Sequence, residues 1–300
     1  MSFISKSYKL TFLVSLSISD PNMKLYKSVS GLFIESNDKV FAARNSPWDE
    51  LINQDNLFQE LERQMVNARP VGGLEILDGL NLEAPIQSQE IWGAGVTYTR
   101  SRDARMEESK DTGGDSFYDR VYDAVRPELF FKGTPHRCVG PGGKVRIRKD
   151  STWNVPEPEL TLVVNRFGKI AGYTIGNDMS SRSIEGENPL YLPQAKTYDG
   201  SAAIGPCIYV SDKPISAESK ISLEIKRKGQ IKFADAVGIN KMKRGHTELV
   251  EFLYRECTFP KGCLLMTGTC LVPPREFTLE SGDEISIQID HIGELKNFVQ

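Results

Sequence analysis

The sequence has few of the residues on which several protein classes depend. Its 300 residues include five cysteines, without a C-x-x-C pair, and only three histidines. An odd number of cysteines without paired spacing argues against a disulfide framework and favours reduced thiols in the cytoplasm. The histidines (His136, His246 and His291) lack the spacing of a zinc site.

No stretch of the chain is suited to a membrane, a nucleotide or a nucleic acid. No apolar run approaches the ~20 residues that a membrane-spanning helix needs. The sequence has no G-x-G-x-x-G after a strand and no Walker motif, so it offers no support for nucleotide binding. Lys and Arg number 37 and Asp and Glu 40, which gives a net charge of −3 without a basic run. Nucleic acid is therefore not an expected partner.

The chain divides into three parts. Residues 9–18 (KLTFLVSLSI) are apolar, but serines interrupt them and no A-x-A-like cleavage site follows, so export is disfavoured. We interpret residues 1–22 as an extension before a start at Met23, with an edge strand as the alternative. Residues 23–85 are predicted to form a small N-terminal domain, because the Pro- and Gly-rich stretch 69–85 is typical of a boundary. Residues 86–300 form the predicted catalytic domain.

Periodicity predicts many strands and few long helices, which indicates an α+β or mostly-β catalytic domain within an α+β fold. Short strands are expected in residues 23–43, and a helix over 47–65 with Pro47 in its first turn. A hairpin is expected from 160–165 and 169–175, with further strands at 204–210, 221–226, 262–269 and 284–289. Helices are predicted at 116–125 and 247–255. Residues 100–114 are charged and nearly free of large apolar side chains, and we interpret them as a mobile surface segment.

The densest chemical signal is the acidic run Pro156-Glu157-Pro158-Glu159. Side chains two apart in a strand share a face, so the two glutamates point the same way. If Asn165 pairs with Lys169 in the following hairpin, a one-residue bulge brings Asp178 onto that face. Three converging carboxylates repel one another unless a cation neutralises them, and all-oxygen ligands favour Mg²⁺, Mn²⁺ or Ca²⁺. The alternative is a solvated, charged edge strand beside a turn aspartate.

Several segments resemble the fumarylacetoacetate hydrolase superfamily: residues 150–160 (DSTWNVPEPEL), 172–182 (GYTIGNDMSSR), Asp199-Gly200 and 266–269 (MTGT). Residues 122–140 (YDAVRPELFFKGTPHRCVG) and 187–196 (ENPLYLPQAK) are most similar to its branch of 2-keto-3-deoxy-sugar-acid dehydratases. The resemblance covers residues 91–273, with a fainter match from Met23.

The resemblance implies a small N-terminal domain followed by a β-rich catalytic domain of rolled, mixed sheets, assembled as a homodimer or homotetramer. It implies that Glu157, Glu159 and Asp178 hold Mg²⁺. The glutamate after Arg-Pro falls on Glu128, the expected general acid, and the lysine after Leu-Pro-Gln falls on Lys196, the expected base. The family's Gly-Thr falls on Gly268 and Thr269, for which substrate-binding roles are expected. Arg102 and Arg105 are expected to bind the anionic substrate because they lie in the charged segment, with a merely solvated loop as the alternative.

One departure from the superfamily separates two activities. Hydrolase members carry an N-Y-x-x-H segment whose histidine activates water, and Ser101 stands at that position here. Serine is no base near neutral pH, so the expected activity is metal-dependent elimination of water from a 2-keto-3-deoxy sugar acid. The alternative is a C–C hydrolase or decarboxylase of acylpyruvates and other 2,4-diketo acids on the same metal site. A ligand-sensing protein that kept the fold is a further alternative, because fold does not imply function.

Overall fold

The computed structural model describes residues 22–44, 46–100 and 115–300. Within these ranges the chain forms eighteen strands, seven α-helices and three short 3-10 helices, so β-sheet predominates. No helix in these ranges has the length and apolar character needed to cross a membrane. The predicted class, a sheet-rich fold with few helices, is confirmed.

The secondary-structure elements follow one another in a strand-rich order. The strands are β1 (Met23–Ser28), β2 (Gly31–Ser36), β3 (Lys39–Ala42), β4 (Gly72–Gly73), β5 (Glu90–Gly95), β6 (Glu128–Gly133), β7 (Cys138–Val139), β8 (Lys144–Val145), β9 (Asn154–Val155), β10 (Pro158–Val164), β11 (Ile170–Asp178), β12 (Ser180–Ser181), β13 (Ala202–Val210), β14 (Lys220–Arg227), β15 (Gln230–Gly238), β16 (Cys263–Met266), β17 (Glu284–Ile289) and β18 (Gly293–Val299). The helices are α1 (Trp48–Leu51), α2 (Leu57–Met65), α3 (Glu75–Asp78), α4 (Asp115–Asp123), α5 (Arg182–Glu187), α6 (Leu192–Lys196) and α7 (His246–Tyr254).

Most strands belong to two sheets that pack against each other. The larger sheet has the order β4-β3-β2-β1-β13-β11-β10-β16-β5-β6, with β7 beside β13. The smaller sheet has the order β15-β14-β17-β18-β8. Its strands β14, β17 and β18 contact β10, β11 and β13 of the larger sheet. The parallel pairs β5–β16, β7–β13 and β8–β18 make both sheets mixed.

Strand β10 is covered on both faces. Leu160 packs in the core between the two sheets. Val163 points to the other face, where it shares a core with Leu61 of α2. All seven residues of β10 are buried, including Glu159. A carboxylate in such a position requires charged or hydrogen-bonding partners, since burying an unpaired charge is very unfavourable.

The predicted helix over residues 47–65 is wrong in one respect, because the structure divides it into α1 and α2. The Asn53 side chain donates to the Lys261 carbonyl at 2.8 Å, which ties the break to a distant loop. The Asn56 side chain then accepts from the Gln59 N–H at 3.0 Å and begins a new helix as its N-cap.

The strands of residues 23–42 extend the larger sheet. Strand β1 pairs with β13, with Met23 opposite Val210, and Leu25 lies in the same buried cluster as Ile208. The first part of the chain is therefore packed directly on the rest. The boundary near residue 85 stays a prediction, and residues 1–21 lie outside the described ranges.

Candidate active site

The hairpin of β10 and β11 brings the three predicted acidic ligands together. At its turn the Asn165 N–H donates to the Lys169 carbonyl at 2.9 Å, as the sequence predicted. The register then shifts by one residue along the hairpin. As a result the Asp178 N–H donates to the Glu157 carbonyl at 2.9 Å. The one-residue bulge on which the prediction depended is present, and Asp178 lies on the same face as Glu157 and Glu159.

These three carboxylates form a buried cluster. The exposed fractions are 3% for Glu157, 2% for Glu159 and 1% for Asp178. One oxygen from each lies within 4.8 Å of one from each of the others. The burial excludes the alternative of a solvated edge strand, since β10 is paired on both sides by β11 and β16. Three buried carboxylate oxygens at this spacing suit a hard divalent cation such as Mg²⁺.

Two of the carboxylates are held from outside the cluster by cations. An Arg182 guanidinium nitrogen lies 2.8 Å from Glu157 Oε1. The Lys132 ammonium forms an ion pair with Asp178 Oδ1. Arg182 is 1% exposed and Lys132 is fully buried. Each pair fixes one carboxylate oxygen and leaves the other directed toward the centre of the cluster.

A backbone amide holds the third carboxylate. The Gly268 N–H donates to Glu159 Oε2 at 2.6 Å. Gly268 has φ +96°, and an added Cβ would lie 2.1 Å from Thr97 Oγ1 and 2.9 Å from the Ala94 carbonyl. Only glycine fits this left-handed, crowded position. The Gly-Thr motif therefore supplies a main-chain donor to a predicted metal ligand.

Lys196 lies at the centre of the cluster, at the end of α6. Its Nζ is 2.8 Å from Glu157 Oε2, 3.0 Å from Asp178 Oδ2 and 2.6 Å from Ser180 Oγ. It also lies 5.6 Å from the centre of the Phe130 ring. The predicted base is thus beside the predicted ligands.

The site holds three cationic and three acidic side chains, and their burial and mutual charges shift the pKa values of Glu159 and Lys132. Arg182, Lys132 and Lys196 face three carboxylates, and all six side chains are at most 3% exposed. Burial raises the pKa of Glu159 well above its usual value, and the neighbouring Asp178 and Glu157 charges raise it further. Burial lowers the pKa of Lys132, while the Asp178 carboxylate opposes that shift. A bound divalent cation would favour the ionised form of Glu159.

A small cavity opens onto the cluster. The lining residues are Ala94, Gly95, Val96, Phe130, Glu157, Glu159, Asp178, Lys196, Gly268 and Thr269. Glu128 is half-buried at the start of β6 and lies opposite Gly95 of β5. A Cβ on Gly95 would lie 2.0 Å from Glu128 Oε2, so the missing side chain gives room to that carboxylate. Glu128 thus adjoins the wall of the cavity.

The remaining predicted residues have different outcomes. Gly268 and Thr269 both line the cavity. Their contact with a substrate stays a prediction. Arg102 and Arg105, with the predicted mobile segment, lie outside the described residues.

Three residues of the site escaped the sequence analysis: Lys132, Arg182 and Ser180. All three lie inside motifs used for the resemblance, FFK and NDMSSR. Glu128, Phe130 and Lys132 alternate along β6, so the period of a strand predicts one shared face, although the observed register shifts at Lys132. That alternation was the available signal for Lys132.

The chain belongs to the fumarylacetoacetate hydrolase family. The family model for the fumarylacetoacetate (FAA) hydrolase C-terminal domain matches residues 90–300.

Its relatives include two sugar-acid dehydratases. The "Probable 2-keto-3-deoxyxylonate dehydratase" of Haloferax volcanii is 50% identical over 216 residues, 72% of this chain and 73% of that protein. The 2-dehydro-3-deoxy-D-arabinonate dehydratase of Saccharolobus solfataricus is 45% identical over 223 residues, 73% of this chain and 74% of that protein.

A solved structure has a similar fold. The structure of 2-keto-3-deoxy-D-arabinonate dehydratase complexed with magnesium and 2,5-dioxopentanoate has a TM-score of 0.78 and 35% identity, covering 93% of this chain and 98% of that one.

Proposed function

We propose that this protein is a Mg²⁺-dependent dehydratase that eliminates water from a 2-keto-3-deoxy sugar acid. The observation that carries the proposal is the buried cluster of Glu157, Glu159 and Asp178, which adjoins Lys196 in a small cavity. Relatives that are 45–50% identical to this chain are named as dehydratases of this substrate class. A small 2-keto acid is the matching ligand for a hard cation beside proton-transfer groups.

Glu157, Glu159 and Asp178 would hold the Mg²⁺ ion. When bound, the ion supplies Lewis-acid polarisation of the 2-keto acid and stabilises negative charge on its keto oxygen. The protein's part is to fix the carboxylates, through Arg182, Lys132 and the Gly268 N–H.

Two side chains would carry out the proton transfers. In its amine form Lys196 takes a proton from C3, whose acidity the polarised ketone raises. The electron pair moves toward C4, and the C4 hydroxyl leaves as water with a proton from Glu128. Each such acid–base contribution is typically about 10²–10⁴-fold. Thr269 lines the cavity, and its hydroxyl would hold the substrate carboxylate.

A substrate screen tests this function. Purified protein is incubated with 2-keto-3-deoxy-pentonates and hexonates, with Mg²⁺ or with EDTA, and the carbonyl product is followed. We expect product only with Mg²⁺, and none from the Glu157→Gln variant. Glu251→Gln, at an exposed position of α7, is the matched control and should retain activity. Turnover that survives both EDTA and Glu157→Gln would contradict the metal role.

The alternative activity is C–C hydrolysis or decarboxylation of 2,4-diketo acids on the same carboxylates. The residue Ser101, where hydrolases of this superfamily carry histidine, disfavours it. The same screen separates the two, because 2,4-diketo acids would then release pyruvate while the sugar acids gave no dehydration product.

We also propose a cytoplasmic homodimer or homotetramer with residues 23–85 as a small N-terminal domain. All five cysteines lie in the described part of the chain and are free thiols, which fits a reducing compartment.

Val125 and Leu190 are 85% and 83% exposed, which is unusual for large apolar side chains and supports an interface between copies. Light scattering of the purified protein would give the assembly size; a monomer would contradict the proposal.

A further inference from the structure

Lys132 is a buried cation that lies behind the wall of the candidate active site. It is fully buried near the end of β6. Phe130, two residues earlier on the same strand, lines the cavity, whereas Lys132 is not among the described lining residues. A side chain in this position does not touch a ligand in the cavity, so any influence on the reaction must pass through its neighbours.

Its neighbours contact the ammonium group through one ion pair and two hydrogen bonds. An ammonium has three N–H donors. The Lys132 Nζ forms an ion pair with Asp178 Oδ1, donates to the Met179 carbonyl at 2.9 Å, and donates to the Lys196 carbonyl. The Tyr198 ring centre lies 5.9 Å from the Lys132 Nζ. The group therefore has a defined geometry rather than a loose electrostatic contact.

These contacts join the elements that carry the proposed chemistry. Asp178 ends β11, Lys196 ends α6, and Lys132 itself is on β6 with Glu128. Both Asp178 and Lys196 meet the Lys132 ammonium directly, one through its carboxylate and the other through its main-chain carbonyl.

We propose that Lys132 is a positioning residue, which orients Asp178 as a metal ligand and fixes Lys196 relative to it. By holding Oδ1, it leaves Oδ2 of Asp178 directed to the cluster, where Oδ2 lies 3.0 Å from Lys196 Nζ. The inference rests on the proposed metal site and assigns to it a residue outside the ligand set.

Loss of the Lys132 charge should therefore act on metal affinity. Without it Asp178 Oδ1 has lost its cation, and the carboxylate is free to turn toward another donor. Partners that orient a metal ligand in this way typically change metal affinity by about 10- to 100-fold when they are removed. A merely structural lysine would change the thermal stability and leave the affinity of the folded protein unchanged.

The test is a calorimetric titration of Mg²⁺ into the full-length, EDTA-stripped protein without substrate. We expect Lys132→Met to weaken the affinity by about 10- to 100-fold. Arg227→Met is the matched control, because Arg227 also pairs with a buried carboxylate, Asp283, at 2.7 and 2.8 Å, but in the smaller sheet. Its melting temperature should fall while its Mg²⁺ affinity stays that of the wild type.

Two results would overturn the positioning role of Lys132. An unchanged affinity in Lys132→Met overturns it, and so does an equal weakening in Arg227→Met, which would show general destabilisation. If Lys132→Met does not fold, Lys132→Gln, which keeps two N–H donors without the charge, is judged by the same criteria. A wild-type protein that binds no Mg²⁺ would refute the proposed function itself. That result differs from one in which the wild type binds Mg²⁺ and Lys132→Met binds it equally well, which would refute only the role of Lys132.

Discussion

The Lys196→Met variant should be less stable than the wild type in EDTA and should gain more stability from Mg²⁺. The Lys196 ammonium is the cation shared by Glu157 and Asp178, at 2.8 and 3.0 Å. Methionine has a similar volume but no charge, so the change removes the cation and retains most of the packing. Two buried carboxylates then face each other without a shared counter-charge.

The expected magnitude follows from the burial of the pair. All three side chains are at most 3% exposed, so solvent does not screen the loss. Removing one partner of a buried ion pair costs about 3–5 kcal/mol. In a chain of this size 1 kcal/mol corresponds to roughly 2 °C, which gives a fall of about 6–10 °C in EDTA.

Mg²⁺ should restore part of that stability, because the ion no longer competes with the ammonium for the same two oxygens. Each tenfold gain in affinity adds about 1.4 kcal/mol of ligand-induced stabilisation. The Mg²⁺-dependent rise in melting temperature should therefore be larger in the variant than in the wild type, although the variant lacks the proposed base and is inactive.

Thermal melts of both proteins, with EDTA and with saturating Mg²⁺, measure this effect. Lys169→Met is the matched control, because Lys169 forms an ion pair with Asp55 in which both side chains are more than half exposed. Such pairs contribute at most about 1 kcal/mol. An unchanged melting temperature of Lys196→Met in EDTA, or a smaller Mg²⁺ effect than in the wild type, would refute the reasoning.

Three further predictions concern other parts of the site and the fold. Glu128→Gln should lower kcat by about 10²–10⁴-fold with unchanged Mg²⁺ affinity, measured by steady-state kinetics and calorimetry; a fall in affinity would make Glu128 part of the metal site. Gly95→Ala should lower kcat with little change in melting temperature, because the new Cβ displaces the flexible Glu128 carboxylate; full activity would show that this carboxylate need not lie there. Burial lowers the pKa of the His246 imidazole, so the unfolded chain binds the proton first. The stability that the neutral imidazole contributes is therefore fully present above about pH 6.5, the pKa of an unperturbed histidine, and declines as the pH falls below it. In urea unfolding at pH 8 and pH 5, His246→Asn should show a smaller decline than the wild type, and an equal decline would exclude His246 as its source.

The acidic cluster could be predicted from the sequence because its geometry is local. Glu157 and Glu159 share a face through the period of a strand, and Asp178 follows in the next strand of the same hairpin. Counting from the turn placed Asp178 within one residue of its observed partner, and the bulge supplied that residue. Short-range pairing rules suffice where two strands are joined by a tight turn.

The sequence could not predict the break between α1 and α2. Apolar spacing over residues 47–65 is compatible with one helix. The break occurs where the Asn53 side chain donates to the Lys261 carbonyl, about two hundred residues away in the sequence. The same holds for Lys132 and Arg182, which a sequence cannot distinguish from surface cations, since lysine and arginine are mostly exposed.

The sequence by itself determined the strand-rich class, the hairpin and the three converging acidic residues, because each depends on alternation or on neighbours along the chain. Only the tertiary structure decided that Lys132 and Arg182 face those carboxylates together with Lys196, the predicted base. Lys132, Lys196 and Arg182 come from three different elements, and their burial beside the cluster follows from how the sheets and short helices pack. Charge compensation among buried side chains is a property of that packing and has no periodic signal in the sequence.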